Sequence, residues 1–226
     1  MAWSIVGSTG TGYADNGSTH NTNLPGTPDI GDIVLVGTGH DSGLPVIQTA
    51  GYTNIDAGGT YLLAWKLLTD PVDSLVGISD PNQGKAIAVV VQVIRGVDTN
   101  TPFDGVAPTT ASGSGMPDAP SITPATALAL AVAFGWLDDL DIAGAVTAPS
   151  GYSNVIAGQG GVGDGSSSTV MLASKEISGA TDPAAFGGGG DDSWNACSFV
   201  LRPGGAPPAG ISIPVAIHHL RQVGGL

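Results

Sequence analysis

Apolar positions in this chain come in short β-branched runs separated by Gly-, Ser-, Thr- and Asn-rich stretches, a rhythm that predicts strands and turns rather than helices. Asp32-Ile33-Val34-Leu35-Val36 follows Gly31, and Val46-Ile47-Gln48 precedes Gly51. Tyr61 to Leu68 is rich in Leu and Ala and is the one place where a helix competes. Gly58-Gly59 before it and Asp70-Pro71 after it leave too little room, so it is read as a strand. Ala86 to Arg95 is the clearest strand: its Val and Ile content disfavours helix, and its near-continuous apolarity predicts a central strand covered on both faces. Leu128 to Phe134 alternates large and small residues, and Thr169 to Lys175 and Ala196 to Arg202 complete the set.

The pattern repeats. Gly51-Tyr52-Thr53-Asn54 returns as Gly151-Tyr152-Ser153-Asn154. Each copy is followed by a run ending in Lys (Lys66; Lys175), a Thr-Asp-Pro turn (Thr69 to Pro71; Thr181 to Pro183) and a strand reaching Arg (Arg95; Arg202). A duplicated strand set with so long a period suits a two-halved antiparallel sandwich rather than a solenoid. The fold expected is therefore all-β, an antiparallel β-sandwich of jelly-roll type with about eight core strands in two similar halves. Residues 1–28 read as an N-terminal arm or loop with an opening strand near Trp3 to Val6, and residues 29–203 as the sandwich. The Pro/Ser/Gly-rich stretch from Thr99 to Pro124 reads as the crossover between halves, since neither half has enough strands to hide its inner face alone. Residues 204–226 read as a linker and an anchoring tail, with Ile211, Ile213, Val215, Ile217, His218, His219, Leu220 and Arg221 as its assembly surface.

Composition narrows the partners. Six Lys and Arg against 19 Asp and Glu give a formal charge of -13, which removes the counterion-release term that drives binding to nucleic acid. Charged residues make up only 11% of the chain, which holds 36 glycine residues, so much of the surface must be Ser, Thr, Asn and Gly, suited to packing against neighbours in a homo-oligomer. The amino end lacks the basic and apolar regions of a signal peptide, and no apolar stretch of about 18 residues is present, so neither secretion nor a membrane is expected. Cys197 alternates within a strand and reads as a small core residue.

No residue set calls for catalysis, a metal or a cofactor. Gly158-Gln159-Gly160-Gly161-Val162-Gly163 fits the dinucleotide template but is followed by no helix, and Asp164 would repel a pyrophosphate, so it reads as a loop. His40-Asp41-Ser42-Gly43 reads as a turn, because the other histidines, His20, His218 and His219, fall in the arm or tail. Asn16-Gly17-Ser18 likewise reads as a plain turn. Asp138-Asp139-Leu140-Asp141 and Asp191-Asp192 lack calcium-loop spacing and read as solvated turns. Trp65 and Trp194 lie within or beside strands and read as core. Tyr52, Tyr152 and Trp136, the last read as lying in a loop, are the candidate contacts for a host surface glycan.

Taken in order, Gly31-Asp32-Ile33-Val34-Leu35, Trp65-Lys66, Arg95-Gly96-Val97-Asp98-Thr99-Asn100-Thr101-Pro102-Phe103 and Pro149-Ser150-Gly151-Tyr152 resemble a broad group of structural proteins from tailed bacteriophages and related particles. The first Gly-Tyr turn departs from that pattern, with Thr49-Ala50 where Pro149-Ser150 stand in the second. The resemblance implies a non-enzymatic virion component, assembled in the host cytoplasm and partnered by other capsid or tail proteins: a decoration, fibre or tail-associated subunit. Recognition of a host glycan is the alternative role.

Overall fold

The computed structural model describes residues 3–13, 19–80, 86–105, 107–138, 145–161, 167–190 and 192–205; the tail expectations at Ile211 to Arg221, Asn16-Gly17-Ser18, the remainder of the acidic loop beyond Asp138, and Asp191 lie outside them. Every regular element among the described residues is a strand: β1 (Ser4–Tyr13), β2 (Thr19–Asn23), β3 (Ile33–His40), β4 (Val46–Ile47), β5 (Thr53–Ala57), β6 (Tyr61–Leu67), β7 (Leu75–Ser79), β8 (Ile87–Arg95), β9 (Thr109–Gly115), β10 (Ala129–Leu137), β11 (Ser153–Gly160), β12 (Ser168–Ile177) and β13 (Asp192–Leu201). They form antiparallel sheets in the orders β1-β8-β3-β6-β5, β11-β12-β10-β13-β9 and β2-β7-β4. The fold is all-β and sandwich-like, with more strands than the eight or so expected.

The two five-stranded sheets face each other across the main core. Ile33 and Leu35 of β3, Tyr61 and Leu63 of β6, and Ala88, Val90 and Ile94 of β8 meet Leu130, Val132, Phe134 and Trp136 of β10, Val170 and Leu172 of β12, and Cys197, Phe199 and Leu201 of β13. The alternate residues of the first sheet, Val34, Val36, Val89, Val91 and Val93, point the other way and are covered by Leu24, Val76 and Ile78 from the small third sheet and its flanks. Burial on both faces explains why β3 and β8 lack the apolar-polar alternation of a half-exposed strand. The far face of the second sheet, carrying Ala129, Ala131, Ala133 and Met171, lies under Ala119, Ile122, Tyr152 and Phe186 from connecting segments.

Shape matching across the core is specific. β3 presents Gly37 and Gly39 where β10 presents Phe134 and Trp136. A Cβ on Gly37 would stand 2.7 Å from Phe134 Cε2, and one on Gly39 would overlap the Trp136 indole. Large residues on one strand thus occupy space that small residues on the facing strand vacate, which is how interiors reach crystal-like density. At one side of the sandwich the approach is closer still. A Cβ on Gly10 or Gly12 of β1 would collide with the Ala157 or Gln159 carbonyl of β11, and one on Gly158 or Gly160 would collide with the backbone of β8.

Three expectations change here. Residues 4–13 do not form an arm: β1 is a ten-residue strand paired with β8 from Ser4↔Arg95 to Tyr13↔Ile87, an alternation hidden because its inward positions are glycines rather than apolar side chains. Trp136 lies not in a loop but near the end of β10, paired with Val170 and Asn195. Gly158 and Gly160 end strand β11 rather than forming a loop, and their missing side chains permit backbone-to-backbone stacking.

The stretch from Thr99 to Pro124 contains β9 and is tied down at several points. Phe103 bridges Leu201 and packs edge-on against Trp65 at 4.9 Å. The buried Asp104 carboxylate accepts the backbone N–H groups of Ala125 and Thr126 and the Thr126 hydroxyl, with Arg202 Nε 3.5 Å away.

Candidate functional site

The residues expected to contact a glycan do not converge on one surface. Trp136 is 5% exposed and stacks on Tyr61 at 5.9 Å between the two sheets. Tyr152 is 8% exposed and packs among Ala119, Met171 and Phe186 on the far side of the second sheet. Tyr52 packs against the β-branched outer face of the first sheet. A sugar platform needs a ring face open to solvent, so the glycan-contact expectation for Trp136 and Tyr152 is corrected to a packing role; the strand alternation through β10 is the signal that could have placed Trp136 inside.

Tyr52 and Tyr152 instead share a local arrangement. Gly51 (φ +88°) and Gly151 (φ +77°) each take the left-handed conformation that side-chain-bearing residues avoid. At the second turn, Tyr152 N–H donates to Pro149 O at 2.9 Å, closing a turn with Gly151 at its third position. Each following tyrosine ring lies 5.7 Å from a lysine Nζ, Lys66 over Tyr52 and Lys175 over Tyr152. Lys66 also donates to Asp73 at 2.6 Å and to Ala50 O at 2.8 Å. Burial, with Asp73 beside it, pushes the Tyr52 phenol well above its ordinary value, and burial acts likewise on Tyr152. Both rings are structural pillars of their turns.

His40 and His20, read from the sequence as a turn and an arm residue, each lie where Asp80 pairs with them or its charge acts on them. His40, at the end of β3, and Asp80, just after β7, are buried with His40 Nε2 3.0 Å from Asp80 Oδ1, and His40 Nδ1 accepts the Ser42 backbone N–H at 2.9 Å. An Nδ1 that accepts fixes the proton of a neutral imidazole on Nε2, facing the carboxylate. His20, on β2, stacks on Tyr13 at 4.4 Å; burial lowers its pKa while the charge of Asp80 acts in the opposite direction. Ser42 meets the imidazole through its amide, so the geometry is that of a turn locked to the end of β3 rather than of a base activating a hydroxyl. Among the described residues no three His, Cys, Asp or Glu side chains converge as a metal site would need.

Asp32 anchors the entry to β3. Its carboxylate receives Arg95 Nε at 2.8 Å and a terminal guanidinium nitrogen at 2.7 Å, a two-pronged pair, and the Asp29 N–H at 2.9 Å. For Asp104, burial works to raise the pKa, but the hydroxyl and N–H of Thr126, the N–H of Ala125 and Arg202 outweigh it and hold the group below the usual carboxylate range. Cys197 is buried, and burial pushes its thiol far up, away from nucleophilic reactivity.

Two surface features remain. A shallow groove between β1 and β2 is lined by Ser8, Thr9, Thr11, Asn21, Thr22 and Asn23, with the Tyr13 hydroxyl donating to Asn21 O at 2.9 Å at one end. At the opposite chain ends, an apolar hollow is walled by Trp3, Ala127, Leu128, Pro203 and Gly204, with Glu176 on its rim. Leu128 is 58% exposed and has φ +59°, unusual for a leucine. Comparison with known proteins finds no matching family model, no matching curated protein and no matching solved structure.

Proposed function

We propose that this chain is a non-enzymatic structural component of a phage or phage-like particle, a sandwich displayed on the surface and attached to capsid or tail through the segment that follows Gly205. The observation that carries this reading is the apolar hollow beside Trp3 and Leu128, whose wall includes Gly204 and Gly205, the last described residues. The described residues end at the edge of this apolar hollow, and the sequence continues with Ile211, Ile213, Val215, Ile217 and Leu220. An exposed apolar hollow next to the point where the apolar tail sequence begins suits an attachment point. Supporting it, the buried clusters around His40, Asp32 and Asp104 join loops to strands, each an acid locked to backbone or to a basic partner.

The finer architecture belongs to the same reading: the sandwich is two similar halves. Replacing β1, β8, β3, β6 and β5 by β9, β13, β10, β12 and β11 turns one sheet order into the other. The Gly-Tyr turn with its lysine falls at matching places, before β5 and β6 in one sheet and before β11 and β12 in the other. Each half supplies one whole sheet, a simple route to a rigid display module without ligand chemistry.

Truncation after Gly210 tests the attachment. The full chain added to particles lacking it is expected to join them and co-sediment, and the truncated chain, still folded by circular dichroism, to stay free. Equal incorporation of both chains would end the proposal. Glycan recognition is a second reading, favoured by the uncharged hydroxyl and amide lining of the β1–β2 groove. It requires signal on a glycan array that Thr11→Val together with Asn21→Ala abolishes.

A further inference from the structure

A sheet edge carries unpaired backbone N–H and C=O groups, and folded proteins blunt such edges with bulges, charges, proline, shortness or cover. Among the described residues, the edges of these sheets follow that rule with one exception. β1 is bulged between Ile5 and Gly7 and stacks on β11, which is itself bulged between Ser153 and Ile156. β5 is bulged between Asn54 and Asp56 and carries that aspartate. β4 is two residues long, and β2 has the Tyr13 hydroxyl on its Asn21 carbonyl.

β9 has none of these devices. Its seven residues, Thr-Thr-Ala-Ser-Gly-Ser-Gly, hold an unbroken register on β13 from Ser198↔Thr109 to Asp192↔Gly115, with no charge and no proline. Thr110, Ser112, Gly113 and Ser114 are exposed. Among the described residues, no backbone hydrogen bond from a turn or loop reaches 109–115. The Thr109 hydroxyl does bond Ser121 O at 3.4 Å, but Thr109 lies on the same face as Ala111, which packs into the outer cluster, so this contact covers the face and not the edge.

We propose that β9 is an interaction edge whose occupant is β9 of a second copy, paired antiparallel about a twofold axis so that two five-stranded sheets become one. Self-pairing is antiparallel by symmetry, the mode of every pair in this fold. Charge permits the same occupant: two chains of formal charge -13 repel, and the uncharged small residues of β9 are where that repulsion is least. The apolar tail of a neighbour fits the edge less well, because Pro214 in the middle of Ile211 to Ile217 lacks the N–H a ladder needs. The inference does not depend on the particle reading, and its test needs no particle.

Sedimentation of the full chain at rising micromolar concentration is expected to show a dimer of twice 22.2 kDa. Ser112→Asp, which sets carboxylates near each other across the axis, is expected to return it to monomer with an unchanged far-ultraviolet spectrum. Cysteine placed in turn at Thr110, Ser112 and Ser114 is expected to give at least one interchain disulfide under mild oxidation, reversed by reductant, with buried Cys197 not contributing. At about 0.15 M salt, a chain that stays monomeric, a variant Ser112→Asp that dimerises as tightly as the parent, or a cysteine series without interchain disulfide would each overturn the proposal.

Discussion

The interlock of Gly39 with Trp136 can be measured as a coupling energy. Trp136 is 5% exposed and lies against Tyr61, and its indole fills the space that a Cβ on Gly39 would need. A buried tryptophan removes about 150–250 Å² from water, so Trp136→Ala should cost about 3–5 kcal/mol once transfer and cavity terms are counted. Gly39→Ala forces a methyl into the indole and should cost about 1–3 kcal/mol by overpacking. In the double variant the methyl enters space the indole has left, so the two costs should not add. The interaction energy expected is about 1–3 kcal/mol in the favourable direction. Urea unfolding of the parent, both single variants and the double variant, followed by circular dichroism because the tryptophan signal changes, gives all four free energies. Costs that add within about 0.5 kcal/mol would refute the interlock. A Trp136→Ala cost in the range of about 0.5 kcal/mol typical of surface sites would place the indole outside the core.

Two further outcomes follow from named contacts. Asp104 has a depressed folded pKa, so the stability it contributes is present above its unfolded value of about 3.9 and is lost as pH falls through the folded value. Asp104→Asn should therefore weaken the loss of stability on acidification below about pH 4, measured as thermal midpoints at neutral and acid pH; parallel pH curves for variant and parent would refute this. Gly158→Val should destabilise more than Gly161→Ala just past the end of the same strand, even though Gly161 has φ +93°, because a side chain on Gly158 overlaps the Val89 carbonyl and meets the Thr11 carbonyl at 2.7 Å, whereas one on Gly161 comes no nearer than 2.7 Å, to the Ser167 hydroxyl. Urea midpoints in the reverse order would show that β11 does not stack on the first sheet.

What the sequence made legible was whatever it wrote in large apolar side chains. Ala86 to Arg95 could be read as a doubly covered strand because Val and Ile occupy both faces, and β8 is buried from Ile87 to Ile94. The duplicated Gly-Tyr turn could be read because a left-handed residue demands glycine and leaves a letter behind. β1 beyond its expected start at Trp3 to Val6, and all of β9, were hidden for the opposite reason. From Gly7 to Gly12 and from Thr109 to Gly115 the positions are Gly, Ser and Thr with a single Ala, which carry no hydrophobic period, and the close contact of β1 with β11 is made by atoms that are missing. Trp136 was misplaced because Asp138 and Asp139 made its surroundings look like a loop, although Leu130-Ala131-Val132-Ala133-Phe134-Gly135-Trp136 keeps the alternation to the end. The pairing of His40 with Asp80 depends on the third sheet docking on the first, a long-range event with no local signature.

Salt dependence distinguishes the proposed copy-to-copy contact from one made by ion pairs. All four described cations are engaged within the chain: Lys66 with Asp73, Arg95 with Asp32, Arg202 near Asp104, and Lys175 over Tyr152. Among the described residues little positive charge is left to attract a second copy whose formal charge is also -13. At low salt the two copies therefore repel. Raising salt from about 0.01 M to 1 M shortens the screening length from about 30 Å to about 3 Å and removes most of that repulsion. Backbone hydrogen bonds along β9 are little affected by the same change. Dimerisation should accordingly tighten with sodium chloride, measured by sedimentation equilibrium, while Ser112→Asp should recover some association at high salt. A dimer that loosens as salt rises would mean that opposite charges hold it, and the neutral edge would then not be the interface.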